Sequence, residues 1–246
     1  MKSSALVTGA SRGIGLAICR ALAAEGHALT MVARDPDALA AAREEIVAAG
    51  GEAHALTANV ASDSDIARIA EAHRERFGAM DVLVNNAGMG IPAPLAAQSV
   101  KQVDLQLDVN LRSVILMTQA SQSLLEKSAA STGRSLVVNV ASISGKVGAA
   151  ALSVYAASKH GIVGFTDSMN RELYGSGVRF VALCPGFVDT SLSDYIKPHL
   201  PAAEMIQPND VAEAVRFLLR LSPACLVPEL MFAEAAALGL RTIPPV

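Results

Sequence analysis

Charge is scarce in this chain. Charged residues make up 17% of its 246 positions, below the quarter usual in soluble domains, while hydrophobic residues make up 52%. A surface so short of charge is expected to be covered in part by association, which predicts a homo-oligomer. The net charge of −3 comes from interspersed acids and bases, so no basic stripe follows a nucleic-acid backbone and that partner class is excluded. Cysteine is sparse as well. Cys19, Cys184 and Cys225 are odd in number and far apart, which argues against a disulfide framework or a zinc knuckle and predicts small core residues. The histidines form no His-Glu-x-x-His and no pair at helical spacing, so no metal site is expected. No apolar run approaches the roughly eighteen residues of a membrane span. Met1-Lys2-Ser3-Ser4 leads into a short strand rather than a signal-peptide core, and a cytoplasmic protein without membrane attachment is expected.

What the chain does have is regular alternation. Apolar segments at 5–8, 28–33, 52–58, 80–84, 134–140 and 178–183 alternate with helical patterns, and no linker or repeat divides them. This predicts a single α/β domain over 1–246, a doubly wound, Rossmann-type sandwich with a mostly parallel seven-stranded sheet. The last strand is expected within 224–232, where Pro228 suits a sheet edge. One long helix is expected from Val100 to about Lys127, with Val103, Leu107, Leu111, Ile115 and Met117 as a core or interface stripe.

Chemistry concentrates between Ser142 and Lys159. Tyr155 and Lys159 are four residues apart in an Ala-rich segment, so a helix places them on one face. The Gly145 to Gly148 stretch supplies a loop that could return Ser142 to them from the preceding strand. This trio suits proton transfer to or from a carbonyl or alcohol oxygen. Moving a phenol from a pKa of about 10 to about 7 takes roughly 4 kcal/mol. A unit charge about 4 Å away supplies roughly that at an effective dielectric of about 20. Lys159 is therefore expected to activate Tyr155 by itself. A Tyr-x-x-x-Lys pair alone is common, and the other segments must decide.

The first strand runs into Thr8-Gly9-Ala10-Ser11-Arg12-Gly13-Ile14-Gly15 and then a helical run. Strand, glycine turn and helix form the order a dinucleotide site requires, because bare backbone approaches the pyrophosphate and the helix N-terminus meets its charge. The spacing is G-x-x-x-G-x-G, not the general G-x-G-x-x-G. With Asn85-Asn86-Ala87-Gly88, Asn110, Ser142, Tyr155-x-x-x-Lys159 and Pro185-Gly186-x-x-x-Thr190 following in order, the chain resembles the short-chain dehydrogenase/reductase family over about residues 4–222.

That resemblance implies a catalytic set of Asn110, Ser142, Tyr155 and Lys159. Tyr155 would donate or accept the proton, Lys159 would lower its pKa and hold the nicotinamide ribose, Ser142 would bond the substrate oxygen, and the Asn110 backbone carbonyl would hold a water linked to Lys159. It also implies dinucleotide contacts from Gly9, Ser11, Arg12, Gly13, Ile14, Gly15, Asn59, Val60, Asn86, Ala87, Gly88, Tyr155, Lys159, Pro185, Gly186, Val188 and Thr190. Where an acid would bind the ribose of NAD, family register puts Ala33, followed by Arg34. Arg12 and Arg34 could converge on a 2′-phosphate, which favours NADP(H) and leaves NAD(H) admissible. Asp35 could reach a ribose hydroxyl or cap the next helix.

Residues 191–207 have the look of a mobile substrate lid. Ser144, Leu152, Phe187, Leu192 and Tyr195 are candidate substrate contacts. They are mostly apolar and favour a neutral, hydrophobic carbonyl or alcohol substrate. The atypical segment 224–246 lacks the family's usual acidic Gly-Gly turn. Its Val-Pro-Glu-Leu resembles the branch with serine or 3-hydroxy acid dehydrogenases, and its tail is expected on the substrate cleft or a neighbouring subunit. The leading expectation is an NADP-dependent oxidoreductase. The alternative is a silent NADP-binding regulatory or scaffold protein of the same fold.

Overall fold

Every residue of β1 (Ser4–Thr8) and β2 (Ala28–Ala33) is buried, as expected of strands covered on both faces of a parallel sheet. The computed structural model describes residues 3–240, so the expectations for Met1, Lys2 and 241–246 lie outside the described residues. The remaining strands are β3 (Ala53–Thr57), β4 (Val82–Asn85), β5 (Ser135–Val140), β6 (Val178–Pro185) and β7 (Glu229–Phe232). They form one sheet in the order β3-β2-β1-β4-β5-β6-β7, and every pairing is parallel. The sheet is thus parallel throughout rather than mostly so. Its order reverses between β1 and β4, and the carboxyl ends beside that reversal are where open α/β sheets bind ligands.

Helices cover both faces. On one side, α1 (Gly13–Ala24), α2 (Pro36–Ala48) and α7 (Pro208–Arg220) pack on Ala5, Val7, Met31, Val84 and Leu183. On the other, α3 (Asp63–Phe77), α5 (Ser113–Thr132) and α6 (Ser153–Glu172) pack on Leu6, Val32, Leu83, Val137 and Phe180. Neighbouring strand residues serve opposite cores, as the two-residue period requires. Asp35 caps α2, accepting from the N–H groups of Asp37 and Ala38 at 3.1 Å, so its local role prevails over a ribose contact.

The expected long helix is interrupted. It divides into α4 (Val100–Leu107) and α5, joined by a π-helical turn at Asp108–Arg112. An inserted π turn rotates the face that follows, so Val114 and Met117 enter the core while Ile115 stays exposed. Cys225 departs from its expected core position too. Cys19 and Cys184 are buried, but Cys225 is exposed because it falls in the loop between α7 and β7. No described helix is long and apolar enough to cross a membrane.

Candidate active site

The glycine turn is shaped by contacts that tolerate no side chain. A Cβ at Gly15 would lie 2.1 Å from the Gly9 carbonyl oxygen and 2.5 Å from Asn86 Nδ2. Gly9 adopts φ 65° and Gly13 φ 54°, the left-handed region that favours glycine. Asn86 fastens the turn, donating through Nδ2 to the carbonyls of Thr8 at 3.0 Å and Gly9 at 3.1 Å. The Thr8 hydroxyl returns the link by accepting from the N–H groups of Asn86 and Ala87 at 3.0 and 3.1 Å. Deeper in the sheet, Asn85 donates to Asn139 Oδ1 at 2.9 Å and thereby ties β4 to β5. Helix α1 starts behind Arg12 with no side-chain cap and no acid in its first turn. Its leading N–H groups therefore remain available for an anion.

One large cleft, about 1030 Å³, runs from this turn across the carboxyl ends of the strands. Gly9, Ser11, Arg12, Gly13, Ile14, Arg34, Asn59, Val60, Asn86, Ala87, Gly88, Pro185, Gly186, Val188 and Thr190 line it, as do Ser142, Tyr155 and Lys159. Gly15 lies behind the lining, where its missing side chain lets the turn close. Thr190 approaches the glycine turn closely enough that a Cβ on Gly13 would meet its methyl at 3.0 Å. The guanidinium groups of Arg12 and Arg34 take part in no ion pair or hydrogen bond among the described residues, so both are available to a ligand. Asn59 is less available than its place in the resemblance implies, because its Oδ1 accepts from the Ala61 N–H at 3.2 Å. The uncapped helix, the closed turn and the two uncommitted arginines fit a phosphorylated dinucleotide.

The catalytic candidates gather at the other end of the cleft. Lys159 is 4% exposed and donates from Nζ to the Val140 carbonyl at 2.8 Å. That nitrogen stands 5.6 Å from the centre of the Tyr155 ring. The Ser142 hydroxyl accepts from the Ser144 N–H at 3.1 Å and donates to the Pro185 carbonyl at 3.4 Å. Asn110 is fully buried. It clamps Met89 from both sides, with Oδ1 accepting from the Met89 N–H and Nδ2 donating to the Met89 carbonyl, each at 2.8 Å. Its Nδ2 also reaches Ser158 Oγ at 3.1 Å. The π turn therefore aims an Asn side chain at the loop that faces Tyr155.

The electrostatics correct one expectation. Burial pushes the Tyr155 phenol up to about 12, against a lowering hydrogen bond from Ser142, and pushes the Lys159 ammonium down to about 8. Lys159 does not by itself acidify the phenol. Its ammonium donates to the Val140 carbonyl, and desolvation is the largest influence on the phenol. The protein holds a proton on Tyr155 at neutral pH, which is the form that donates to a carbonyl oxygen.

Ser144, Leu152, Phe187, Leu192 and Tyr195 all line the same cleft. Phe187 and Tyr195 meet edge to face with ring centres 6.3 Å apart. The 191–207 segment forms two short 3₁₀ turns, Ser191–Ile196 and Ala202–Glu204. Ile196, Leu200 and Met205 make a small core under it, and Lys197 pairs with Asp189 at 2.9 Å. Gly90, in the turn-rich stretch 88–94 whose sequence suggests an edge of the substrate site, packs its backbone on the Tyr155 ring, where a Cβ would touch Cδ2 at 3.5 Å. Two residues escaped sequence reasoning, Gln106 and Glu234. Gln106 is buried under the same loop and accepts from the Ile91 N–H at 3.1 Å. Glu234, Ala236 and Ala237 bring the C-terminal segment into the cleft, the first of the two places expected for it. A lone acid in the apolar run 230–237 was the available signal for Glu234.

The family model for short chain dehydrogenases matches residues 3–201. Among curated relatives, a 3-oxoacyl-[acyl-carrier-protein] reductase of Synechocystis is 37% identical over 220 residues, covering 87% of each chain. A putative ketoacyl reductase of Streptomyces coelicolor is 38% identical over 243 residues, covering 87% of this chain and 89% of the relative. Among solved structures, an alcohol dehydrogenase of Thermococcus sibiricus complexed with 5-hydroxy-NADP superposes with a TM-score of 0.86 at 32% identity, covering 96% of this chain and 97% of that one. A variant of actinorhodin polyketide ketoreductase with NADPH gives 0.88 at 32% identity and the same coverage. The closed glycine turn, the Asn-Asn-Ala-Gly strand end and the Ser-Tyr-Lys cluster stand in the order these likenesses require, and the chain belongs to the short-chain dehydrogenase family.

Proposed function

We propose that this protein is an NADP(H)-dependent reductase that transfers a hydride between the nicotinamide and a ketone or secondary alcohol. The observation that carries the reading is the convergence of Ser142, Tyr155 and Lys159 in one cleft whose far end is an uncapped, glycine-lined helix N-terminus with Arg12 and Arg34 at its mouth. Arg12 and Arg34 would hold the 2′-phosphate, the α1 N–H groups the pyrophosphate, and Pro185 to Thr190 the nicotinamide end. Bound there, the dinucleotide supplies the hydride.

The chain's own residues supply the rest. Ser142 orients the substrate oxygen through its hydroxyl. Tyr155 delivers its phenolic proton to that oxygen as negative charge develops on it, and the Lys159 ammonium stabilises the phenolate left behind. Asn110 fixes the Met89 backbone and the floor of the cleft. The apolar rim of Leu152, Phe187, Leu192 and Tyr195 excludes water and suits a hydrophobic carbonyl compound. The two curated relatives are named for oxoacyl and ketoacyl substrates, so a 3-oxoacyl thioester belongs beside simple ketones in the test panel. A cytoplasmic location and a homo-oligomeric assembly complete the proposal. The silent-scaffold alternative would leave the mutually placed Ser142, Tyr155, Lys159 and Asn110 without a purpose.

The test is a carbonyl panel with NADPH and NADH, followed by nicotinamide absorbance. Ketone-dependent oxidation of NADPH is expected, with NADH at least about tenfold poorer in kcat/KM. Tyr155→Phe should lower kcat by about 10²-fold or more. Turnover unchanged in Tyr155→Phe, or a preference for NADH, would refute the assigned roles of Tyr155 and Arg34 respectively.

A further inference from the structure

Glu234 lies just beyond β7, in the stretch that replaces the family's usual Gly-Gly turn. It is 6% exposed. Its Oε2 accepts from the Phe187 N–H at 3.0 Å and presses so closely on Gly186 that a Cβ there would lie 2.1 Å away. Its Oε1 is enclosed and has no hydrogen-bond partner among the described residues. Glu234 pairs with no cation among the described residues, and two lysines of flanking segments are committed elsewhere. Lys146 pairs with Glu229 at 2.9 Å, and Lys197 with Asp189 and Asp194 at 2.9 and 2.8 Å. Glu234 lines the same cleft as Ser142, Tyr155, Phe187 and Tyr195.

An enclosed carboxyl oxygen without a partner is costly, and native structures satisfy such atoms with protein, water or ligand. In a cleft that the apolar Leu152, Phe187 and Leu192 also line, this oxygen accepts hydrogen bonds and opposes negative charge. We propose that Glu234 Oε1 accepts a hydrogen bond from a hydroxyl or N–H group of the substrate. The reductase then selects carbonyl compounds that carry such a donor away from the reacting carbon and rejects those carrying a carboxylate there. This inference rests on reading the cleft as a ketone reductase. The carboxamide of the bound nicotinamide offers the same donor chemistry in the same cleft, and the experiment separates the two sources.

The experiment compares matched ketones in the full-length enzyme with NADPH: acetophenone with its 3-hydroxy and 3-methoxy derivatives, and cyclohexanone with its 4-hydroxy and 4-methoxy derivatives. In at least one series the hydroxyl member should lead both others by about tenfold or more in kcat/KM, because a site built for a donor discriminates against analogues that lack it. Glu234→Ala should bring that ratio to about one. Glu234→Gln keeps an oxygen for the Phe187 N–H and turns an NH₂ group toward the substrate, so it should move preference to the methoxy member. Each ratio is internal to one variant, so a general loss of folding does not imitate the effect. Calorimetric titration of the same ketones into NADP⁺-saturated Tyr155→Phe, with and without Glu234→Ala, reads the ratio without turnover. It therefore judges Glu234 even where the redox reading fails. Equal handling of hydroxyl and methoxy members in both series overturns the proposal. So does a Glu234→Ala variant that binds NADPH about tenfold more weakly by fluorescence titration while keeping its hydroxyl preference, because the donor is then the carboxamide.

Discussion

Tyr155 and Lys159 are driven by burial in directions that each favour the neutral form, the phenol up to about 12 and the ammonium down to about 8. Reduction needs the phenol protonated and the lysine charged. The first condition holds across the physiological range, and the second is lost as pH rises through the lysine's value. The kcat/KM for ketone reduction is therefore expected to be level below about pH 7 and to fall as pH passes about 8. A pH profile with NADPH saturating checks this, and a rate still rising above pH 8 would contradict it. His73 sets a second pH dependence, in stability. It is fully buried, with Nδ1 bonded to Thr30 Oγ1 at 2.8 Å and Nε2 to Ser4 Oγ at 3.2 Å, and burial lowers it from 6.5 to about 4. Between those values the unfolded chain binds a proton that the folded chain refuses. Stability is thus highest above pH 6.5 and declines by about 3 kcal/mol as pH falls toward 4. Urea midpoints across that range should fall more steeply in the parent than in His73→Gln. Spacing alone placed Tyr155 beside Lys159, but the direction of the phenol's shift was not legible, because desolvation depends on residues brought together only by the fold.

The glycine turn is an element whose shape follows from what its residues lack. At Gly15 even one methyl meets the Gly9 carbonyl at 2.1 Å, and backbone cannot yield as a flexible side chain can. Gly15→Ala is expected to destabilise the fold by about 1–3 kcal/mol and to weaken NADPH binding at least about tenfold, read by urea unfolding and fluorescence titration. Unaltered NADPH binding in a folded Gly15→Ala protein would show that the turn does not shape the site. This turn was legible because glycine spacing states a backbone requirement directly. The break between α4 and α5 was not, since Leu107-Asp108-Val109-Asn110-Leu111 is compatible with either winding. The π turn is decided by tertiary contacts, with Asn110 reaching Met89 and Ser158, and the misplacement of Ile115 followed from assuming an uninterrupted helix. The C-terminal segment was read as an edge strand and tail, yet its one buried acid entered the cleft because Gly186 leaves room for it.

At the scale of the whole molecule, the alternation of strands and helices made the layer order and single sheet readable, since βαβ crossovers leave few arrangements open. The surface was readable only as a shortage of charge. The structure locates where that shortage falls. Val100 on α4 is 77% exposed, Phe217 on α7 49% and Met231 on β7 55%. Phe217 and Met231 lie on elements consecutive in the chain, and the β7 edge has no further strand beyond it among the described residues. Apolar side chains beside an unpaired parallel edge are the kind of surface a soluble protein covers by symmetric association. A dimer or tetramer is expected at micromolar concentration by light scattering coupled to size exclusion. Replacing Phe217 and Met231 together by Arg should lower the assembly by one step while the circular dichroism of the fold persists. If the parent runs as a monomer, the apolar surface has another use and the composition argument for self-association fails. If the double variant keeps the parent's mass, the interface lies on the α4–α5 face, where Val100→Arg with Ile115→Arg is the next substitution to break it.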